Sequence, residues 1–159
     1  MDSRLQNAIQ LRKQGEHEQS RAALHLLLDN PQLAAQALLH IAWSFDNEGK
    51  EHEAEQAYCA ALNAGLDGEE RFDAHFGLAS TLRCLGKYAE AKANFEEIRA
   101  QWPHASEVRP FHALCLHNLG EHQQAIALLL EHIADSPDVR TAPYEAALRH
   151  YAQQPDKKW

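Results

Sequence analysis

An all-α protein built of repeated helix pairs, stacked as an α-solenoid, is what this 159-residue sequence predicts. Three observations carry the prediction. Gly15, Gly49, Gly86 and Gly120 recur at spacings of 34, 37 and 34 residues, and self-similarity at that period marks a repeat protein rather than a closed globular enzyme. Seven residues before each glycine stands an alanine: Ala8, Ala42, Ala79 and Ala113. The other columns agree. Leu11, Phe45, Leu82 and Leu116 lie four before; Ser20, Ala54, Ala91 and Ala125 lie five after; Leu24, Tyr58, Phe95 and Leu129 lie nine after.

Each glycine sits between two apolar-periodic segments of about 14 residues. Before Gly49, the residues Leu38, Ile41, Ala42 and Phe45 share a helical face; after it, Ala54, Ala57, Tyr58, Ala61 and Leu62 do the same. Glycine suits the junction because it ends a helix in the left-handed conformation without a Cβ clash. Alanine at a helix crossing lets two backbones approach, and the bulky columns fill the space alongside.

Repeats are expected over about 3–30, 31–66, 68–103 and 104–137. Asn30-Pro31 reads as an N-cap with proline in the first turn, opening the second repeat. Gly65 closes that repeat's second helix, and Asp67 followed by Glu70 offers a capping-box-like start to the next. The three extra residues of the 37-residue spacing fall in this 65–68 loop. Pro103 and Pro137 each stand 17 residues after a glycine, where a helix should stop. A terminal helix over about 140–153, with Tyr144, Ala147, Leu148 and Tyr151 on one face, is expected to cap the last apolar surface. Residues 156–159 are expected to fray.

These columns resemble the tetratricopeptide repeat (TPR), in which a small residue, a bulky residue, a turn glycine, an alanine, an aromatic and a terminal proline follow in this order. The resemblance runs from about residue 3 to 137 and is clearest in IAWSFDNEGKEHEAEQAYCAAL and GLASTLRCLGKYAEAKANFEEI. Ser20 replaces the usual alanine in the first repeat. Glu51 stands where a Tyr or His is expected, a place taken elsewhere by His17, Tyr88 and His122. AWSFDNEG and GLDGEERFDAHFGLASTLRCLGKY are also similar to small bacterial TPR proteins without a defined activity. The resemblance implies a right-handed solenoid of about four repeats, with the first helix of each pair lining a concave groove and the second forming the back. It further implies a scaffold that binds protein.

The first helices carry a second stripe 10, 6, 3 and 2 residues before each glycine, on one helical face. The stripe reads Leu5, Ile9, Arg12, Lys13; Leu39, Trp43, Asp46, Asn47; Phe76, Ser80, Arg83, Cys84; and Pro110, Leu114, His117, Asn118, with His40 and Phe111 beside it. The candidate peptide-binding groove is Leu39, His40, Trp43, Asp46, Asn47, Phe76, Ser80, Arg83, Phe111, Leu114, His117 and Asn118. Aromatic anchors beside a few polar groups suit an apolar peptide or partner helix. Asp46 and Arg83 occupy similar places in successive repeats and are expected to pair. A chaperone C-terminus is not expected as ligand, because Leu5, Ile9, His40, Asp73 and Gly77 stand where that TPR type places its carboxylate-binding groups.

Composition narrows the function. The net charge of −8, from 15 basic and 23 acidic residues, argues against a general nucleic-acid surface and against adhesion to anionic membranes. The N-terminal MDSRLQNAIQLRKQG lacks the continuous apolar stretch of a secretory signal, and the longest apolar run, 125–130, is too short to span a bilayer. Cys59, Cys84 and Cys115 form no Cys-x-x-Cys pair, so reduced thiols and a cytoplasmic location are expected. Eleven histidines raise the question of a metal, but His112 and His117, five apart, do not share a helical face as an i, i+4 pair would. No metal, no cofactor and no catalytic residue are expected, since no nucleophile elbow or phosphate-binding glycine loop occurs. The expected function is a non-catalytic protein-protein interaction adaptor that holds a partner's peptide or helix in the groove. The alternative is a self-associating module, a homodimer through the same apolar patch or the cap helix.

Overall fold

The computed structural model describes residues 2–136 and 138–157. Among them the chain is all helical: α1 Ser3–Lys13, α2 His17–His25, α3 Ala34–Asn47, α4 Glu51–Asn63, α5 Gly68–Cys84, α6 Tyr88–Gln101, α7 Val108–Asn118, α8 His122–Asp135, a 3₁₀ turn Ala142–Tyr144, and α9 Glu145–Gln153. This is the α-solenoid class, an array of helical repeats. The helices divide into two compact units, Met1–Lys87 and Tyr88–Trp159.

One local device makes every repeat. At Gly49 the chain takes φ +68°, Gly49 N–H donates to Asp46 C=O at 3.0 Å, and Lys50 N–H donates to Phe45 C=O at 3.0 Å. This is the paired closure of a Schellman turn. The same two bonds recur at Gly15, Gly86 and Gly120. In each case the carbonyl of the bulky column, Leu11, Phe45, Leu82 or Leu116, takes the longer-range bond. A Cβ on Gly49 would touch nothing within 4 Å, so the glycine serves conformation and not space. Gly49→Ala should therefore cost about 1–2 kcal/mol, the penalty of a left-handed backbone, readable as a shift in urea midpoint at unchanged slope.

The small columns are sealed at the crossings. Ala8, Ala42, Ala54 and Ala79 in the first unit, and Ala91, Ala113 and Ala125 in the second, are all buried. Ser20, the departure from the alanine column, keeps its buried place because its Oγ donates to the Ala8 carbonyl at 2.7 Å. A hydroxyl with a partner is tolerated where an unpaired one would be costly.

Punctuation follows expectation in part. Gly65 closes α4 at φ +95°, and α6 ends at Gln101, just before Pro103. Asn30 caps a turn rather than the helix itself. Its Oδ1 accepts Gln32 N–H at 3.0 Å, and α3 begins only at Ala34, because the turn's own bonds from Leu33 and Ala34 go back to the Asn30 carbonyl. Asp67 makes no side-chain cap bond, and Glu70 accepts from Gln36 of α3 at 2.7 Å instead. Tertiary pairing has taken the capping-box glutamate. Pro137, Lys158 and Trp159 lie outside the described residues.

The terminal helix packs on α8 through part of the face that the sequence suggested. Ala152 is buried and Ala147 and Leu148 half-buried, whereas Tyr144 and Tyr151 are exposed. A polar clasp sets this rotation. Arg149 pairs with Asp135 at 2.8 Å and reaches the Ala134 carbonyl at 3.4 Å, while Arg109 holds Asp135 from α7. Bonds from both arginines keep the Asp135 carboxyl below its ordinary range. Asp156, expected to fray, accepts a hydrogen bond from Gln123.

Candidate functional site

In the first unit α3 packs against both α1 and α5, so the stripes of successive first helices meet. The Arg12 guanidinium lies over the Trp43 ring at 5.2 Å, and His40 meets that ring edge-on at 4.8 Å. Cation and quadrupole attract in this arrangement. Together with Gln6, Ile9, Gln10 and Lys13 these residues enclose a cleft of about 520 Å³. Arg12 Nε and His40 Nδ1 are buried there without a hydrogen-bond partner. Burial, and then the charges of Arg12 and Lys13, push the His40 imidazole down to about 4, so it is neutral at physiological pH.

Asp46 belongs to a different arrangement. Its Oδ2 accepts from the Tyr58 hydroxyl and its Oδ1 from Thr81 Oγ1 at 3.1 Å, partners on α4 and α5 that the sequence reading had not offered. Burial raises the Asp46 carboxyl above its ordinary value, and the two hydrogen bonds pull it back; burial and Asp46 together drive the Tyr58 phenol well up. With both oxygens engaged, Asp46 joins three helices. Leu39 is 1% exposed and belongs to the core, so it offers no groove surface. Asn47 is exposed, and Ser80 and Arg83 are half-buried. Phe76 sits half-buried beside Phe72 at 5.9 Å, and Arg83 Nη2 lies 3.7 Å from the exposed Cys84 Sγ.

In the second unit Phe111, Leu114, His117 and Asn118 of α7 are all exposed. Pro110, Ala113, Leu114 and His117 line one wall of an apolar groove of about 750 Å³. His122, Ala125, Ile126 and Leu129 of α8 form the other wall. Leu114 is 50% exposed, Ile126 47% and Leu129 39%. Leu129 explains the groove. The residues of the same column, Leu24, Tyr58 and Phe95, are buried at 0–1%, because the next first helix covers them. Tyr58 lies where a Cβ on Gly77 of α5 would be, and Phe95 stacks on His112 of α7 at 5.6 Å. The helix that follows α8 is the short α9, which with the residues just after it packs along α8 from Ala134 and Asp135 near its end to Gln123 near its start, yet leaves Ile126 and Leu129 open. The column that signals packing elsewhere is open here.

Ile126 and Leu129 were not among the sequence-derived groove residues, since second helices were assigned to the back. For Leu129 the signal was present in the column, but only its exposure beside α9 gives it meaning. Among the described residues no group of three or more His, Cys, Asp or Glu could hold a metal ion, and no helix is long and apolar enough to cross a membrane.

Repeated helix pairs closed by the same glycine turn, with open apolar helix faces, define a helical-repeat protein of the kind that presents surfaces to other macromolecules. A family model described as "Tetratrico peptide repeat" matches residues 35–154, three quarters of the chain, and the protein belongs to that family. Repeats of this family generally mediate protein–protein interaction. A search of curated proteins found no match.

Proposed function

We propose that this protein is a non-catalytic adaptor whose second unit docks an amphipathic helix of another protein on the α7–α8 face. The observation that supports the reading is the exposure of Leu129 and its neighbours, in a column that a following helix covers in every earlier repeat. A partner helix would lie in the α7–α8 groove with its apolar residues over Leu114, Ile126 and Leu129. Burying each of those three side chains is worth up to roughly 1.5–3 kcal/mol from full exposure, less here because each is already half covered. The Trp43–Arg12 cleft of the first unit is a second candidate contact, read as an anchor for a partner's side chain. A cytoplasmic setting fits the acidic composition and the three free thiols.

The test is affinity capture from the source cells with three baits: wild type, Ile126→Asp/Leu129→Asp, and Trp43→Ala, each checked for unchanged helicity. A protein held by the wild type and lost from the double variant, and then bound directly as its isolated helical segment, supports the adaptor. Retention of every partner by the double variant overturns it. A wild type that sediments as a dimer, with a monomeric double variant, would instead assign this face to self-association.

A further inference from the structure

The turn between α7 and α8 brings two imidazoles together at the end of the apolar groove. His117 Nδ1 lies 3.1 Å from His122 Nδ1, with ring centroids 4.8 Å apart and planes inclined by 50°. Both side chains are exposed. The centroids are closer than two rings meeting head-on through those nitrogens would allow, so the nitrogen directions are bent off the line joining them. A bent hydrogen bond has this form, and so do two ligands to one common point.

At this distance one imidazole donates a hydrogen bond to the other when a single Nδ1 carries a proton, and the same spacing suits a shared ion when neither does. Two nitrogens each about 2.0–2.1 Å from one metal ion lie roughly 2.9 Å apart at a right-angled bite and roughly 3.4 Å apart in a tetrahedron. The observed 3.1 Å falls between these values. We propose that His117 and His122 chelate a divalent first-row cation of the zinc, nickel or copper class through their Nδ1 atoms, with water in the remaining positions. Imidazole nitrogen suits these ions, whereas magnesium and calcium prefer oxygen. The expectation of no metal rested on the five-residue spacing of His112 and His117, on His17 and His122 filling the repeat's aromatic turn column, and on the absence of a shared pattern among the other histidines. The pair that the fold creates lies across a turn, on two helices, where no i, i+4 rule applies. His112 is buried on the other side of α7, against Phe95.

The site is open by construction, with two protein ligands and exposed surroundings. Its cation would sit beside Leu114, Ala125 and Ile126, at the edge of the helix-docking face. The proposal stands on the imidazole geometry alone and does not depend on what docks there.

Zinc chloride is titrated calorimetrically into tag-free, chelator-stripped protein, alongside His117→Ala, His122→Gln and, as control, His104→Ala. The wild type should bind one ion per chain. Each of the first two substitutions should weaken binding by at least the roughly 10–100-fold that losing even a supporting outer group costs at a metal site, while the control leaves it unchanged. Nitrogen-15 spectra of the wild type should place the zinc-dependent shift on Nδ1 of both histidines. Circular dichroism of the variants separates ligand loss from unfolding. A wild type without a one-to-one isotherm, or zinc binding that survives His117→Ala and His122→Gln, overturns the proposal.

Discussion

Gly77→Ala should destabilise the first unit by about 1–3 kcal/mol, the usual range for forcing extra volume into a packed crossing. Gly77 lies in the middle of α5, and in an exposed helix alanine there would be stabilising by about 1 kcal/mol. Here the added methyl would fall on the Tyr58 ring, inside van der Waals contact with Cζ, Oη and Cε1. The ring cannot swing aside cheaply. Tyr58 is 1% exposed, and its hydroxyl is tied to Asp46, which also holds Thr81. The substitution therefore disturbs α3, α4 and α5 together. Urea unfolding at constant pH measures it, and Tyr58→Phe in the same background reports whether the hydroxyl bond is part of the cost. A Gly77→Ala protein as stable as wild type would mean that the crossing is looser than described.

Acid should destabilise the second unit through His112, by up to about 3 kcal/mol between pH 6.5 and 4. The imidazole is buried, stacked on Phe95, with Arg99 Nη1 3.4 Å from its Nδ1. A guanidinium can only donate, so Nδ1 accepts and the ring proton sits on Nε2, which is buried without a hydrogen-bond partner. Burial first, and the Arg99 charge next, push this histidine from 6.5 down to about 4. Its proton affinity is thus lower folded than unfolded. Above pH 6.5 both states are neutral and nothing is lost; as pH falls, the unfolded chain gains the proton first and stability declines until the folded group also titrates. His40 should add a smaller effect of the same sign in the first unit, since it is only half-buried beside Arg12 and Lys13. His112→Phe keeps the ring stack and should flatten the second unit's part of the decline. Denaturation midpoints at pH 7.5 and 4.5 for wild type and variant test it; an equal loss in both would remove His112 as the cause.

Several features of the candidate site lay beyond what the sequence could express. Asp46 and Arg83 stood in equivalent positions and suggested a pair, yet Tyr58 and Thr81 reach both Asp46 oxygens because α4 and α5 close on α3 there. Leu39 followed the groove stripe but turned into the core, since stripe membership sets an angle on one helix and not the depth of its neighbours. Of the expected cap face Ala147 and Leu148 pack and Tyr144 and Tyr151 do not, since the Asp135 clasp with Arg109 and Arg149 turns the helix toward Ala152.

What the sequence by itself determined is everything carried by local backbone chemistry. The glycines end helices because only they enter positive φ without penalty, the alanines mark crossings because only small side chains allow close approach, and the 3.6-residue spacing chooses the faces. Those rules act within a few residues of one another, so they are legible in a string. Only the tertiary structure decided what each face meets. Leu129 carries the same pattern as the buried Tyr58 and Phe95 and is exposed because α9, the helix that follows, leaves it uncovered, and His117 meets His122 only because two helices turn back on each other. Burial and side-chain encounter depend on neighbours distant in sequence, and no local pattern records them.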